Sequence, residues 1–167
     1  MTPGELLTEC FSRIAEGVPA VLDGLDEGRL GLRIDGAGNS IAWLVWHLTR
    51  VQDDHLADAF GTEQVWIDDG WHERFALPLE PEDTGYGHGP DQVASVRASG
   101  ALLAGYHAAV FERTTELLAG ITPERLDEVI DERWTPPVTR GVRLVSVIDD
   151  DAKHLGQAEF ARGLLPG

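Results

Sequence analysis

Four stretches of this sequence repeat apolar residues every three or four positions, which is the period of an amphipathic α-helix. Their predicted bounds are Pro3–Leu25, Asn39 or Ser40 to Phe60, Ser99–Leu118 and Thr139–Leu164. Each helix must bury its apolar face, and four helices of similar length do this most simply by packing against one another. The sequence therefore predicts an all-α four-helix bundle that forms a single domain over residues 1–167.

Two irregular stretches connect the predicted helices. Residues 61–90, between the second and third helices, combine aromatic residues with many glycine, proline and acidic residues. A connection of this length is uncommon in a compact domain and is often functional. Residues 121–138 are predicted to begin with a short helix capped by Thr122 and to continue as an extended segment, without a strong strand pattern. Within the first helix, Gly17 and Pro19 predict a kink or a break.

The chain carries 29 Asp and Glu residues against 13 Lys and Arg, which gives a formal net charge of -16. Such a charge repels nucleic-acid phosphates and anionic lipids, so neither is an expected partner. There is no apolar run of about 18 residues, so no transmembrane helix is predicted. MTPGELLTEC lacks the basic start of a secretory signal. The single cysteine, Cys10, excludes an intrachain disulfide and is expected to be buried and unreactive, and we predict a cytoplasmic protein.

The fourth helix carries a carboxylate and an imidazole at a spacing that suits a metal ion. Asp150 and His154 are four residues apart, so both project from one helix face about one turn apart. A carboxylate oxygen and a ring nitrogen in this arrangement can share one ion. Asp151 is a weaker candidate ligand. Taken alone, the pair is more simply explained as a surface interaction that stabilises the helix.

The second helix contributes a histidine within a tryptophan-rich segment. His47 lies among Trp43, Leu44, Trp46 and Leu48, so it should be mostly buried. A buried histidine is usually a core residue whose hydrogen bonds are satisfied, which is the simpler interpretation of His47 alone. His55 follows about 80° further around the helix, where it lines the same cavity or faces water.

Together these elements resemble the DinB superfamily. The resemblance begins with W-H-L in the second helix and with an acidic residue four positions before the histidine of H-L-G-Q in the fourth. It extends through VQDDH, DTGYGHGP, GYHAAVFERT and DERWTPPVTRGVRLVSV, and it is strongest for small actinobacterial DinB-like proteins associated with the thiol mycothiol. The resemblance implies a four-helix bundle that holds a divalent metal ion, with His47, Asp150 and His154 at the three ligand positions.

One ligand position departs from the commonest DinB pattern, which has three histidines. Here the middle position is Asp150, and zinc accepts carboxylate oxygen beside imidazole. The resemblance thus favours zinc, with nickel as a possible ion. The similar mycothiol-dependent maleylpyruvate isomerases also use a carboxylate there. Their additional C-terminal domain has no counterpart in these 167 residues, so we expect transferase rather than isomerase chemistry.

Three protein ligands leave a coordination position open, as in catalytic metal sites. A thiol bound at that position loses its proton and becomes a nucleophile. The resemblance implies that this thiol is mycothiol. We therefore predict a metal-dependent S-transferase that joins mycothiol to an electrophile in detoxification. The alternatives are a non-catalytic, metal-binding DinB-like stress protein and a thiol-dependent isomerase of the maleylpyruvate type. No motif separates the transferase from the non-catalytic protein.

Several residues are candidates for holding the thiol, and each has an alternative structural explanation. Arg50 and Arg140 are candidates for binding carboxylates of an anionic thiol, with solvated surface arginine as the alternative. Trp46, together with aromatic residues of the long connection, forms either a pocket wall or a cover over the bundle end. Gln157 either orients a metal ligand or closes the helix packing. Pairing through helix faces would give a homodimer.

Overall fold

The computed structural model describes residues 1–166. The helices are α1 (Pro3–Leu22), α2 (Glu27–Leu30), α3 (Ile41–Phe60), α4 (Val65–Asp68), α5 (Trp71–Phe75), α6 (Pro90–Ser95), α7 (Gly100–Leu118), α8 (Pro123–Asp127) and α9 (Arg140–Gly163). A 3-10 turn covers Ile34–Gly36. The four long helices are those that the periodicity predicts, and the all-α class is confirmed.

The long helices pack around one apolar core, and neighbouring helices run in both parallel and antiparallel directions, since Arg162 at the end of α9 reaches Val21 at the end of α1. Helix α3 packs against α7 and α9, and α1 packs against the same two helices. Arg140 at the start of α9 reaches Ala59 near the end of α3, so these two helices run in opposite directions. All four helices contribute core residues, which include Phe11, Ile14, Val18, Leu44, Leu48, Leu103, Tyr106, Leu144 and Val147.

Side-chain caps define where the long helices begin. Thr2 and Glu5 form a capping box at α1, and Pro3 occupies the first helical position. Ser40, not Asn39, caps α3 by accepting the amide N–H of Trp43. Ser99 and Thr139 cap α7 and α9 in the same way. These caps satisfy amide groups that would otherwise lack partners, which explains why the predicted starting points are correct within a residue or two.

Two local features differ from the prediction. Helix α1 is not broken at Gly17 and Pro19, and it ends at Leu22, three residues before the predicted Leu25. Proline removes one helical hydrogen bond, but the buried Val18 and Val21 on either side hold this turn against the core. The second difference is a small antiparallel pairing of β1 (Val129–Asp131) with β2 (Val138–Thr139), which precedes α9.

The long connection between α3 and α7 is not structureless. Its first part forms α4 and α5, whose Trp66 and Phe75 are buried and pack around Tyr106 of α7. Its second part returns along α3 as a loop. In consequence every residue of α3 from position 41 to 53 is buried. Within residues 1–166, no helix is long and apolar enough to cross a membrane.

His107 of α7 gives the bundle a predictable sensitivity to acid. Its ring is buried, and burial lowers its pKa from 6.5 to about 4. Below pH 6.5 the unfolded chain therefore binds a proton that the folded protein does not, so stability present above pH 6.5 is lost as the pH falls towards 4. At about 1.4 kcal/mol per pH unit the loss is about 3 kcal/mol.

We expect replacement of His107 by leucine to remove this contribution to the acid-dependent loss of folding stability. Unfolding by denaturant at a series of pH values should show a smaller loss of stability between pH 7 and pH 4 in His107→Leu than in the wild type. Parallel stability profiles for the two proteins would contradict the assignment.

Candidate metal centre

Two helices bring three potential metal ligands together beside a cavity. His47 comes from α3, and Asp150 and His154 come from α9. One ligand atom from each lies within 4.8 Å of the others. His154 Nε2 is 3.6 Å from Asp150 Oδ1, and the two imidazole rings are 4.7 Å apart between centroids. Two imidazoles and a carboxylate are ligands that zinc and similar divalent ions accept.

The polar atoms of this cluster fit a cation. Asp150 Oδ2 is buried and has no hydrogen-bond partner among residues 1–166. Leaving a buried carboxylate oxygen unpaired is unfavourable, so a ligand to that oxygen would relieve the penalty. Burial, only partly opposed by the carbonyl of Thr84, lowers the pKa of His47 and favours its neutral, metal-binding form.

Each histidine of the cluster has an oxygen acceptor at its other ring nitrogen. His47 Nδ1 is 2.5 Å from the carbonyl oxygen of Thr84, and His154 Nδ1 is 3.0 Å from Gln157 Oε1. Since these oxygens accept, the hydrogen of each ring lies on Nδ1 and the lone pair lies on Nε2. Oxygen partners of this kind orient the histidine ligands of metal sites. The position of Gln157 supports its role in orienting a ligand, although its side chain is exposed.

A cavity of about 590 Å³ lies over His47 and Asp150. Its size suits a small-molecule substrate. The apolar and aromatic part of its lining consists of Val51, Tyr86, Trp134, Val138 and Val142. The polar part also includes His55, Thr84, Arg143 and Ser146. His55 lines this cavity and also faces water, since 43% of its side chain is exposed.

The charge of Arg143 is already neutralised at the cavity wall. Its guanidinium lies 3.2 Å from Asp58 and 3.3 Å from Asp131. Hydrogen bonds from Arg133, with the nearby charge of Arg143, hold the pKa of Asp131 far below its usual range. Arg143 also lies 3.4 Å from Nδ1 of His55, whose pKa is lowered mainly by burial.

The three residues predicted to bind the thiol lie inside the protein. Arg50 is fully buried and donates to Gln64, to Tyr106 and to the carbonyl of Asp83. Arg140 is bonded to the carbonyls of Ala59 and Arg125 and to Glu128. The ring of Trp46 is buried and stacks on His88. Neither arginine is solvated: both are buried and donate to acceptors inside the protein, although Arg50 Nη2 has no hydrogen-bond partner within residues 1–166. This burial argues against the expectation that they hold the thiol.

Two further sequence expectations also change. Asp151 is completely buried, and burial, followed by the charge of Asp150, raises its pKa well above the usual value. Its oxygens have no partner within residues 1–166, and it faces the core rather than the ligand cluster. Cys10 is half-buried instead of buried.

Sequence reasoning missed Trp134 and Arg143 as cavity residues. A signal was present for part of this wall. His47, Val51 and His55 are spaced by four, as are Val142, Ser146 and Asp150, so each set lies on one helix face. Trp134 carried no such signal, because it lies in an irregular segment.

The fold and the site together define a four-helix bundle with a candidate metal centre open to a cavity. A family model described as mycothiol S-transferase matches residues 6–167, and the chain belongs to this family of DinB-like proteins. A crystal structure of a conserved protein from Enterococcus faecalis is similar, with 36% identity and a TM-score of 0.91 over 99% of this chain and 98% of that one. No curated protein matches the chain significantly.

Proposed function

We propose that this protein is a metal-dependent S-transferase that joins mycothiol to an electrophile, in a detoxifying reaction. The observation that carries the proposal is the convergence of His47, Asp150 and His154, the first two of which line a cavity of substrate size. Membership of the mycothiol S-transferase family supports the identity of the thiol.

The donor set of two imidazoles and one carboxylate fits a divalent ion, and we propose zinc because catalytic zinc sites use this combination of ligands. When bound, such an ion lowers the pKa of a coordinated thiol, so that the thiol is ionised at neutral pH. The remaining contributions come from the chain. His47 and His154 are held with Nε2 free, Asp150 supplies negative charge, and Val51, Val138 and Val142 form an apolar part of the cavity wall. The reaction forms a sulfur–carbon bond, the leaving group departs with the electron pair of the broken bond, and the thiol proton passes to solvent.

The charges around the cavity support a thiol without carboxylates. Arg143 is already paired with Asp58 and Asp131, and Arg50 and Arg140 are used inside the protein. The aromatic rings of Tyr86 and Trp134 offer surfaces for an uncharged, hydroxyl-rich molecule. The formal net charge of -16 also disfavours an anionic thiol such as glutathione.

Turnover of a test electrophile would test the proposal. Purified, metal-loaded protein is supplied with mycothiol, glutathione or bacillithiol, and the consumption of monochlorobimane is followed. We expect turnover with mycothiol in preference to the other thiols. His47→Ala should reduce the rate to that of the metal-free blank, because it removes the ligand that α3 contributes.

His72→Ala is the matched control, since His72 is a histidine outside the cluster, packed beside Trp66. It should retain the wild-type rate. An absence of turnover with every thiol and several classes of electrophile, in protein that nevertheless binds the metal, would favour the non-catalytic metal-binding protein instead.

A further inference from the structure

The loop of residues 83–88, which has the sequence DTGYGH, lies against α3 beside the candidate metal ligand His47. We propose that this loop is a positioning device, which fixes the ring orientation and the tautomer of His47 for metal binding. The inference rests on the proposed metal site, but it concerns residues that supply no ligand. It is carried by three sets of contacts.

The first contact is the carbonyl of Thr84, which accepts the Nδ1 hydrogen of His47. A neutral imidazole carries a hydrogen on only one of its two ring nitrogens. Because that hydrogen lies on Nδ1 in this bond, Nε2 keeps its lone pair free. The ring of Trp43 stacks on His47, with centroids 4.5 Å apart and an angle of 19° between the planes. The ring is therefore held both at its edge and on its face.

The second contact explains the glycine that follows Thr84. Gly85 has φ +94°, which side chains of L-residues rarely allow. A Cβ atom at this position would lie 2.7 Å from His47 Nδ1 and 3.1 Å from the ring of Trp46. Only glycine lets the backbone approach closely enough for the Thr84 carbonyl to reach His47.

The third set of contacts locks the loop onto α3. His88 Nδ1 is 3.0 Å from Nε1 of Trp43, which can only donate. The hydrogen of His88 therefore lies on Nε2, which donates to the carboxylate of Asp83 at 2.8 Å. Asp83 also accepts the N–H of Gly85 at 2.9 Å. Burial opposes the ionisation of Asp83, but these hydrogen bonds outweigh it and lower its pKa overall.

Arg50 completes this arrangement from inside the bundle. Its Nε donates to the carbonyl of Asp83 at 3.2 Å, and Trp46 stacks on the ring of His88. Arg50 lies three residues after His47 on the same helix. Thus α3 holds the loop through Arg50, Trp43 and Trp46, and the loop in turn holds His47.

The structure offers a matched pair of variants for testing this role. Gly85 and Gly87 both have positive φ, at +94° and +74°, so alanine strains the backbone at either position. Only at Gly85 does the added Cβ meet His47, since Gly87 has nothing within 4 Å. We expect Gly85→Ala to weaken Zn²⁺ binding about 10- to 100-fold, and Gly87→Ala to remain close to the wild type.

Competition with a chromophoric chelator measures the Zn²⁺ affinity, and thermal unfolding confirms that each variant is folded. Nitrogen-15 NMR of metal-free protein gives a second readout. His47 should carry its hydrogen on Nδ1 in the wild type and in Gly87→Ala, and should exchange between tautomers in Gly85→Ala. Asp83→Asn keeps an oxygen acceptor and should retain more affinity than Asp83→Ala.

Equal losses of affinity in the two glycine variants would overturn the inference, because backbone strain alone would then explain them. An unchanged His47 tautomer in Gly85→Ala would also overturn it. Neither result requires turnover, so both are distinguishable from a failure of the proposed transferase activity.

Discussion

Replacing His154 by alanine is expected to reduce the bound divalent metal from one ion per chain to none. The variant leaves His47 and Asp150 on different helices, and two ligands hold an ion far less firmly than three. Loss of His154 also frees Gln157 from its hydrogen bond without disturbing the buried core. Elemental analysis of purified protein after dialysis measures the effect directly.

The neighbouring acidic residues provide a matched comparison for this experiment. Asp150→Asn keeps the size of the side chain but removes the charge that offsets a cation, so we expect a large loss of metal affinity. Asp151→Asn should keep the metal, because Asp151 lies in the core and outside the ligand cluster. A larger loss of metal affinity in Asp151→Asn than in Asp150→Asn would assign the ligand to Asp151 instead. Equal metal content in the wild type and His154→Ala would refute the assigned site.

Arg50→Ala is expected to destabilise the protein by about 3–5 kcal/mol, as is usual when one partner of a buried ion pair is removed. Arg50 and Asp53 are both buried, and their charged groups are 3.7 Å apart. Asp53 also accepts the N–H groups of Val65 and Trp66, so it joins α3 to the long connection. Burial raises the pKa of Asp53, and the positive charge of Arg50 opposes this shift. Without Arg50, the buried carboxylate of Asp53 therefore loses a charge that stabilises its ionised form.

Denaturant unfolding of the wild type and Arg50→Ala at neutral pH tests this expectation. Arg13→Ala is the control, since its ion pair with Glu9 lies on an exposed helix surface and should contribute little. Unchanged stability of Arg50→Ala, combined with a higher thiol concentration for half-maximal activity, would restore Arg50 as a thiol-binding residue. The expected result instead assigns Arg50 to the interior and to the anchoring of the 83–88 loop.

The sequence by itself determined the long helices and their starting points. The apolar period of 3.6 residues and caps such as Ser40 and Thr139 act within a few residues of the chain, so local reasoning is sufficient. The same local geometry places Asp150 and His154 on one face of α9. The addition of His47 to this pair came from the resemblance to DinB proteins.

Only the tertiary structure decided which polar residues of α3 are buried. Arg50 belongs to a helix whose residues 41–53 are all buried, and one side of that helix is covered by a connection of irregular local sequence. Periodicity identifies the face that packs on neighbouring helices, but it does not show that a loop covers the rest. Surface exposure was therefore the natural expectation for Arg50, and it was wrong.

The register between α3 and α9 was likewise a tertiary property. It sets His47 opposite His154, and it depends on the packing of many core side chains along both helices. The acceptor of His47 is a backbone carbonyl, a group that every residue carries, so the sequence does not distinguish Thr84 from its neighbours. Its selection depends on the close approach of Gly85 to α3, which long-range packing fixes.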